Sequence, residues 1–221
     1  MLRRLAAALA ALLFPAAALG LGVRAAMSHT FLAFEYARPG FPEDPFGFSE
    51  ADRLLYGSYG LEYIANDADE RYLSGLRLPG GGAAFRPEEV SHMADVKAVL
   101  GTGLDLTLLA ACVIVLILLL LRRTPALARG ALRGGAILTL GLMAALAVSA
   151  VLGFERFFAW VHSLFFKDGT WMFSTRDTLI RVYPEQFWMD AGILIALVTV
   201  GLCLAALVTA GRGTRSRRRN P

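Results

Sequence analysis

The sequence predicts an all-α membrane protein with four transmembrane helices and a small α+β extracytoplasmic cap, and three observations carry that expectation. Hydrophobic residues make up 56% of the 221-residue chain and charged residues only 18%, a balance too apolar for a soluble domain of this length. The apolar residues gather into four stretches of about 18 to 23 residues, each matching one hydrocarbon core at 1.5 Å of helix rise per residue. Charge is also sorted by segment. All eighteen Asp and Glu lie between Glu35 and Asp105 or between Glu155 and Asp190, whereas eleven arginines occupy the short intervening loop and the two ends. By the positive-inside rule those arginines mark the cytoplasmic face and put both termini inside.

The first transmembrane helix is expected over 1–27, opened by Arg3 and Arg4. A cleaved signal peptide is the alternative for this stretch, and it would leave the same two segments outside. Residues 28–103 form the first extracytoplasmic segment. Its opening, FLAFEYARPGFPEDPFGFSE, reads as loop because of its prolines and glycines. Ser49 then suits the cap of a helix from Glu50 to about Ala65, whose Leu54, Leu55, Tyr59 and Tyr63 make an apolar side able to lie on the headgroup layer. Alternation over 71–78 and the turn residues Gly80, Gly81 and Gly82 predict a small hairpin with Ala83 to Phe85. From Pro87 the spacing is helical again, and this helix is expected to run unbroken into the second span at 104–121.

Residues 122–135 form a cytoplasmic loop short enough to favour antiparallel neighbours, followed by the third span at 136–153. The second extracytoplasmic segment, 154–188, begins as an extension of that span with a strongly aromatic surface. It holds Trp160, Trp171 and Trp188, as interfacial anchors do. Ser174 or Thr175 is expected to start a short helix before the fourth span at 189–210. A basic cytoplasmic tail, 211–221, needs no nucleic-acid partner. Cys112 and Cys203 lie inside predicted spans, so they form no disulfide framework and neither is a credible nucleophile.

These lengths exclude a large soluble catalytic domain or a nucleotide-binding fold, so any chemistry sits near the membrane. The three histidines, His29, His92 and His162, all fall in the outer segments. A pair of imidazoles at one interface can divide the roles of general base and general acid, and Glu88 and Asp95 lie at helical spacing to orient His92. Hydrogen bonding or headgroup contact is the plainer reading of such histidines. No two stand at the spacing of familiar zinc sites, so no metal is expected. Ser58, in GSYG, lacks the nucleophile-elbow spacing, and the triple glycine reads as a turn rather than an anion cradle. Asp177 and Arg181, four apart, suit either a mutual ion pair or the holding of a polar substrate group. Lys97 is expected to snorkel or to contact a lipid phosphate.

The segments SHMADVK at 91–97, WVHSLFF at 160–166 with Trp171 shortly after, and DTLIRVYPEQFW at 177–188 resemble the pattern of a bacterial integral membrane family, the lipoprotein intramolecular transacylase (Lit) family. The resemblance spans nearly the whole chain. It implies a reaction at the outer leaflet of the cytoplasmic membrane, without metal, nucleotide or other cofactor. In that reaction the sn-2 acyl chain of a diacylglyceryl-modified cysteine moves to that cysteine's own α-amine, giving a lyso-form lipoprotein. The partners implied are diacylglyceryl-modified lipoproteins and membrane lipids, with no oligomeric state specified.

The family's essential histidines would map to His92 and His162; Glu88, Asp95, Lys97, Trp171, Asp177 and Arg181 are the residues expected to support them or to hold the substrate. On this reading His92 is the base and His162 donates to the oxyanion or to the departing glyceryl oxygen. The reverse assignment, or an acyl-imidazole intermediate, fits the sequence equally well. A non-catalytic sensor or assembly module, binding an envelope ligand through the outer loops, is the rival from another class.

Overall fold

Runs of Leu, Ala and Val carry no polar side chain to compete for backbone groups, and each folds as a single long helix that satisfies its own N–H and C=O groups. The computed structural model describes residues 1–216, and they form, in order, α1 (Leu2–Ala26), α2 (His29–Ala37), α3 (Glu50–Ala65), α4 (Arg71–Ser74), α5 (Pro87–Leu120), α6 (Pro125–Leu152), α7 (Phe154–Phe165), α8 (Thr178–Val182) and α9 (Glu185–Ser216). Four of them, α1, α5, α6 and the Glu185–Gly211 part of α9, are long and apolar enough to cross a membrane. The remainder of the basic tail expected over 211–221, including Arg217, Arg218 and Arg219, lies outside the described residues. The chain divides into two compact units, one made of residues 1–25, 103–152 and 194 onward, the other of residues 26–102 and 153–193.

In the first unit, small residues let the helices approach closely, which is how packing is gained where lipid offers no hydrophobic drive between helices. Ala7, Ala10 and Ala17 of α1 pack with Ala110, Ile114 and Ile117 of α5, together with Leu121 and Ala131. A Cβ added at Gly135 would stand 2.6 Å from Phe14 Cβ and 3.2 Å from the Ala11 carbonyl oxygen, and one added at Gly20 would run into the Thr107 side chain. Thr139 donates to the Gly135 carbonyl and Thr107 to that of Gly103, each at 2.8 Å on its own helix, while Thr199 of α9 donates to the Ala18 carbonyl of α1 at 3.4 Å. Cys203 is buried with Ala136 and Ala206, and Cys112 is exposed. The outward faces carry Leu106, Leu109, Leu116, Leu138 and Leu197.

The second unit is helical, and this corrects the α+β cap. The expected hairpin over 71–85 reduces to one helical turn, α4, and a single antiparallel bridge between Arg77 and Ala83. Pro79 and Gly81, the latter at φ +88°, turn the chain tightly. Pairing then stops, because Phe85 enters the core and Arg86 must already cap α5. The segment expected to be loop from Phe31 onward is instead helix as far as Ala37, with the Ser28 side chain capping its start; the prolines and glycines take over only at Pro39.

The α3 helix has the expected cap, in which Ser49 and Asp52 satisfy each other's backbone N–H groups. Its inward stripe is Arg53, Tyr56, Gly57, Gly60 and Tyr63, while Leu55 is half exposed. Thus α3 buries aromatic and glycine positions inside the unit rather than an apolar side that includes Leu55. The third long helix ends at Leu152, and extended backbone at Gly153 separates it from α7. The short helix near 175 starts later than expected, at Thr178, with Asp177 as its cap position.

That five-residue helix is too short to persist by its own hydrogen bonds. Side chains from the first segment hold its backbone. Tyr36 donates to the Val182 carbonyl at 2.7 Å, Arg53 to that of Arg181 at 3.0 Å, and a Glu89 oxygen accepts from the Leu179 N–H at 2.7 Å. In return Thr178 donates to the Ala84 carbonyl, and Tyr183 to that of Gly57 at 2.7 Å. The glycines at 57 and 60 make room, since a Cβ at Gly60 would lie 2.6 Å from the Tyr183 hydroxyl. Arg38 completes the unit by pairing with both Glu35 and Asp190.

Overpacking a seam costs roughly 1–3 kcal/mol. Gly135→Leu and Gly20→Val should each lower the melting temperature in detergent by that equivalent, whereas Gly141→Ala, which meets nothing within 4 Å, should leave it unchanged. Thermal unfolding of the purified variants checks this.

Candidate active site

His92 lies on the second turn of α5, ahead of the apolar stretch that begins at Leu104. The helix start is fixed by Glu89, whose carboxylate reaches back to the Arg86 N–H at 2.7 Å, the third-position half of a capping box, with Pro87 at the first helical position. Glu89 is fully buried, and its second oxygen takes the Leu179 N–H, so one carboxylate joins α5 to α8. Burial pushes its carboxyl up, against the lowering effect of those two N–H donors. Val90 and Met93 are buried beside His92, which is itself only 8% exposed.

His162 lies on α7, and its Nδ1 stands 2.9 Å from the Phe158 carbonyl oxygen one turn earlier. A carbonyl only accepts, so the contact assigns the ring proton to Nδ1 and leaves Nε2 with a free lone pair. After α7 the chain turns through Lys167–Thr170 with Gly169 at φ +84°. This turn carries Trp171 back to within 4.9 Å of the His162 ring and Phe173 to within 5.4 Å of the His92 ring, centroid to centroid. Phe166 touches both imidazoles, at 5.0 Å from His92 and 5.5 Å from His162, and Phe158 lies 4.0 Å from His162. The two imidazole centroids are 6.3 Å apart, their planes inclined by 26°.

The surroundings of the pair are aromatic, so its electrostatics are set by desolvation. Burial, with a smaller contribution from the charge that would form on His162, brings His92 down to about 4 from an ordinary 6.5, Asp95 opposing weakly. His162 is lowered as well, again by burial, partly offset by its bond to the Phe158 carbonyl. Two buried side-chain atoms have no hydrogen-bond partner among the described residues: Nδ1 of His92 and Nε1 of Trp171.

The remaining candidates are engaged elsewhere. Glu88 is exposed and faces Arg86 at 3.7 Å, and Asp95 is exposed; neither carboxylate bonds to His92. Lys97 neither snorkels nor stands free. It donates to the Ala68 carbonyl at 2.6 Å and lies 4.4 Å over the Tyr63 ring, tying down the loop that follows α3. Asp177 and Arg181 do not pair with each other. Asp177 accepts the Ser174 N–H at 2.8 Å and faces Arg86 at 3.3 Å, while Arg181 bonds to Asp44 at 2.8 Å and stacks 3.3 Å over the Phe48 ring. Arg53, Glu35 and Glu89 are the buried charges that sequence reasoning passed over; only Glu89 carried a local signal, its third-position place after Arg86-Pro87.

Four membrane-length helices, with a buried His92 on α5 beside a half-buried His162 on α7, define a multi-pass helical membrane protein. The model of the family described as lipoprotein intramolecular transacylase Lit matches residues 8–188, and the chain belongs to that family. An uncharacterized protein of Aquifex aeolicus is 31% identical over 209 residues, 94% of each chain. Among solved structures, the membrane integral lipoprotein intramolecular transacylase Lit from Bacillus cereus has the same fold, with TM-score 0.71, 20% identity and 98% of both chains covered. A form of it with one histidine replaced by alanine gives TM-score 0.78 at 20% identity, covering 98% of this chain and 96% of that one.

Two outcomes follow from this geometry. Because burial lowers the folded-state value of His92 below that of the unfolded chain, the unfolded state takes up the proton first. Stability is therefore full above about pH 6.5 and is lost as the pH falls from there toward 4. The ring carbon signal of ¹³C-labelled His92 should stay that of a neutral imidazole from pH 7.5 down to about 5; a midpoint near 6.5 would contradict the packing. Separately, Arg181→Ala leaves the Asp44 carboxylate, 1% exposed, without its partner and should cost about 3–5 kcal/mol, read as a fall in melting temperature.

Proposed function

We propose that this chain transfers the sn-2 acyl group of a diacylglyceryl-modified lipoprotein to the α-amine of the same N-terminal cysteine, with His92 and His162 performing the proton transfers. The observation that carries the reading is two neutral imidazoles, 6.3 Å apart, walled by Phe158, Phe166, Trp171 and Phe173. Both belong to segments that the arginine distribution assigns to the outer side, 28–103 and 154–188, with spans at 1–27, 104–121, 136–153 and 189–210 and both termini cytoplasmic. An ester at the boundary of headgroup and acyl chains lies at the level such segments reach.

Donor and acceptor belong to one substrate molecule, so proximity is partly supplied and the enzyme has three tasks: folding the substrate, removing a proton, and holding the oxyanion. The fixed tautomer of His162 supports the reverse of the sequence-based assignment. Its Nε2 lone pair takes a proton from the α-amine as the nitrogen bonds to the ester carbon. The amine, with an unperturbed pKa of about 7.7–8.0, is matched to such a base without large tuning. His92, held neutral by burial and with Nδ1 lacking a protein partner, donates its ring N–H to the carbonyl oxygen as that oxygen becomes negative. When the intermediate collapses, the bond to the glyceryl oxygen breaks and that oxygen receives the proton from His162. One amide and one hydroxyl result, with no change in net charge.

Mass spectrometry of N-terminal lipopeptides tests the reading. Cells that make diacyl lipoproteins and express this chain should yield an N-acyl, S-monoacylglyceryl cysteine. His92→Ala and His162→Ala should each reduce conversion by about 10²–10⁴-fold while the protein still inserts and melts cooperatively. Lipopeptides that stay diacylglyceryl with a free amine would contradict the assignment.

A further inference from the structure

We infer that Trp171 is the second donor of the oxyanion site: its indole Nε1–H binds the acyl carbonyl oxygen of the substrate and strengthens that bond as the tetrahedral intermediate forms. The inference rests on the transacylase reading above and deepens it.

An indole nitrogen can only donate, so a buried indole N–H without an acceptor is a stored deficit that a native structure ordinarily avoids. Nε1 of Trp171 is such an atom, and the other unpartnered buried side-chain atom among the described residues is Nδ1 of His92. Both rings pack around the same neighbour, Trp171 at 4.9 Å and His92 at 6.3 Å from His162. Two polar atoms lacking partners around one general base are what a site looks like before its substrate supplies an acceptor. The interfacial-anchor role that the sequence suggests for tryptophan accounts for Trp160 and Trp188, which are 50% and 40% exposed, but not for an indole whose N–H is turned away from solvent. The turn at Gly169 also gives the ring a fixed position, since it returns the chain onto His162 directly after α7.

Charge development explains why an N–H donor belongs here. As the amine nitrogen bonds to the carbonyl carbon, the C=O π pair moves onto oxygen. Aromatic walls leave less room for water around that oxygen, so fixed N–H groups act more strongly there than in bulk water. When the pair returns and the bond to the glyceryl oxygen breaks, the carbonyl is again neutral and both donor bonds weaken, which favours release. Trp171 needs no proton transfer to play this part.

Trp171→Phe keeps an aromatic face beside His162 and removes only the N–H. With a diacylglyceryl-cysteine lipopeptide and full-length protein in detergent, the variant should lose about 10²–10³-fold in kcat with KM within about threefold of the wild type. A kcat within threefold would make Trp171 a wall and overturn the inference, as would a rise in KM alone, which marks binding equal in ground and transition states. A second measurement uses the unaltered protein, so that poor folding of the variant cannot mask the answer. An N-acetylated form of the same lipopeptide binds but has no amine to react, and on its addition the indole N–H resonance of Trp171, assigned against Trp160→Phe and Trp188→Phe, should move downfield. An unmoved resonance at saturation overturns the inference. Wild-type protein that forms no N-acyl product overturns the transacylase reading itself, and this inference with it.

Discussion

The second unit depends on one constraint: the backbone of 177–183 must be hydrogen-bonded, and α8 is too short to do it alone. The first segment supplies the missing partners through long side chains. Tyr36, Arg53 and Glu89 reach the backbone of α8, while Thr178 and Tyr183 reach back to Ala84 and Gly57. These contacts join residues from 90 to 146 positions apart, so they form only when both segments are present. Trp171 and Phe173 lie on the stretch between α7 and this clamp, and the wall of the histidine niche is held by it. Glu89 makes the connection most directly: it bonds to Leu179 from one turn before His92.

The same economy governs the electrostatics. Ions in the second unit are used as fasteners, Arg38 with Glu35 and Asp190, Arg181 with Asp44, and Arg86 with Asp177, and none of these carboxylates is bonded to an imidazole. The histidines are surrounded instead by aromatic rings, which keep both neutral. That environment suits an acyl shift between an ester and an amine. On the proposed reading the attacking amine must be uncharged, which an apolar niche favours, and of the two transient charges the positive one stays on His162 while the negative one falls on an oxygen that fixed donors can meet.

Much of this fold is legible in the sequence, because hydropathy and helix capping are local properties. The four long apolar helices, the Ser49 cap of α3 and the unbroken run of α5 from Pro87 all follow from residues within a turn or two of one another. The errors have the same origin. Pro39, Gly40 and Pro42 gave their loop character to a stretch whose first seven residues are free to form part of α2, and the glycines at 80–82 suggested strand pairing that only one residue pair sustains. Partners of charged residues are not local. Arg181 lies four residues from Asp177 yet bonds to Asp44, 137 positions away, and Lys97 turns to Ala68. Buried groups such as Arg53 and Glu35 look like ordinary surface charges until the fold encloses them.

If the two imidazoles act on one substrate as a single unit, a comparison of single and double variants measures that directly. Conversion of a diacylglyceryl-cysteine lipopeptide would be followed for His92→Ala, His162→Ala and the double variant over times long enough to quantify residual rates. Groups that act together are lost together, so the double variant should convert no more than about threefold slower than the slower single one. Losses that multiply, each histidine contributing its full factor in the absence of the other, would mean that the two rings work independently.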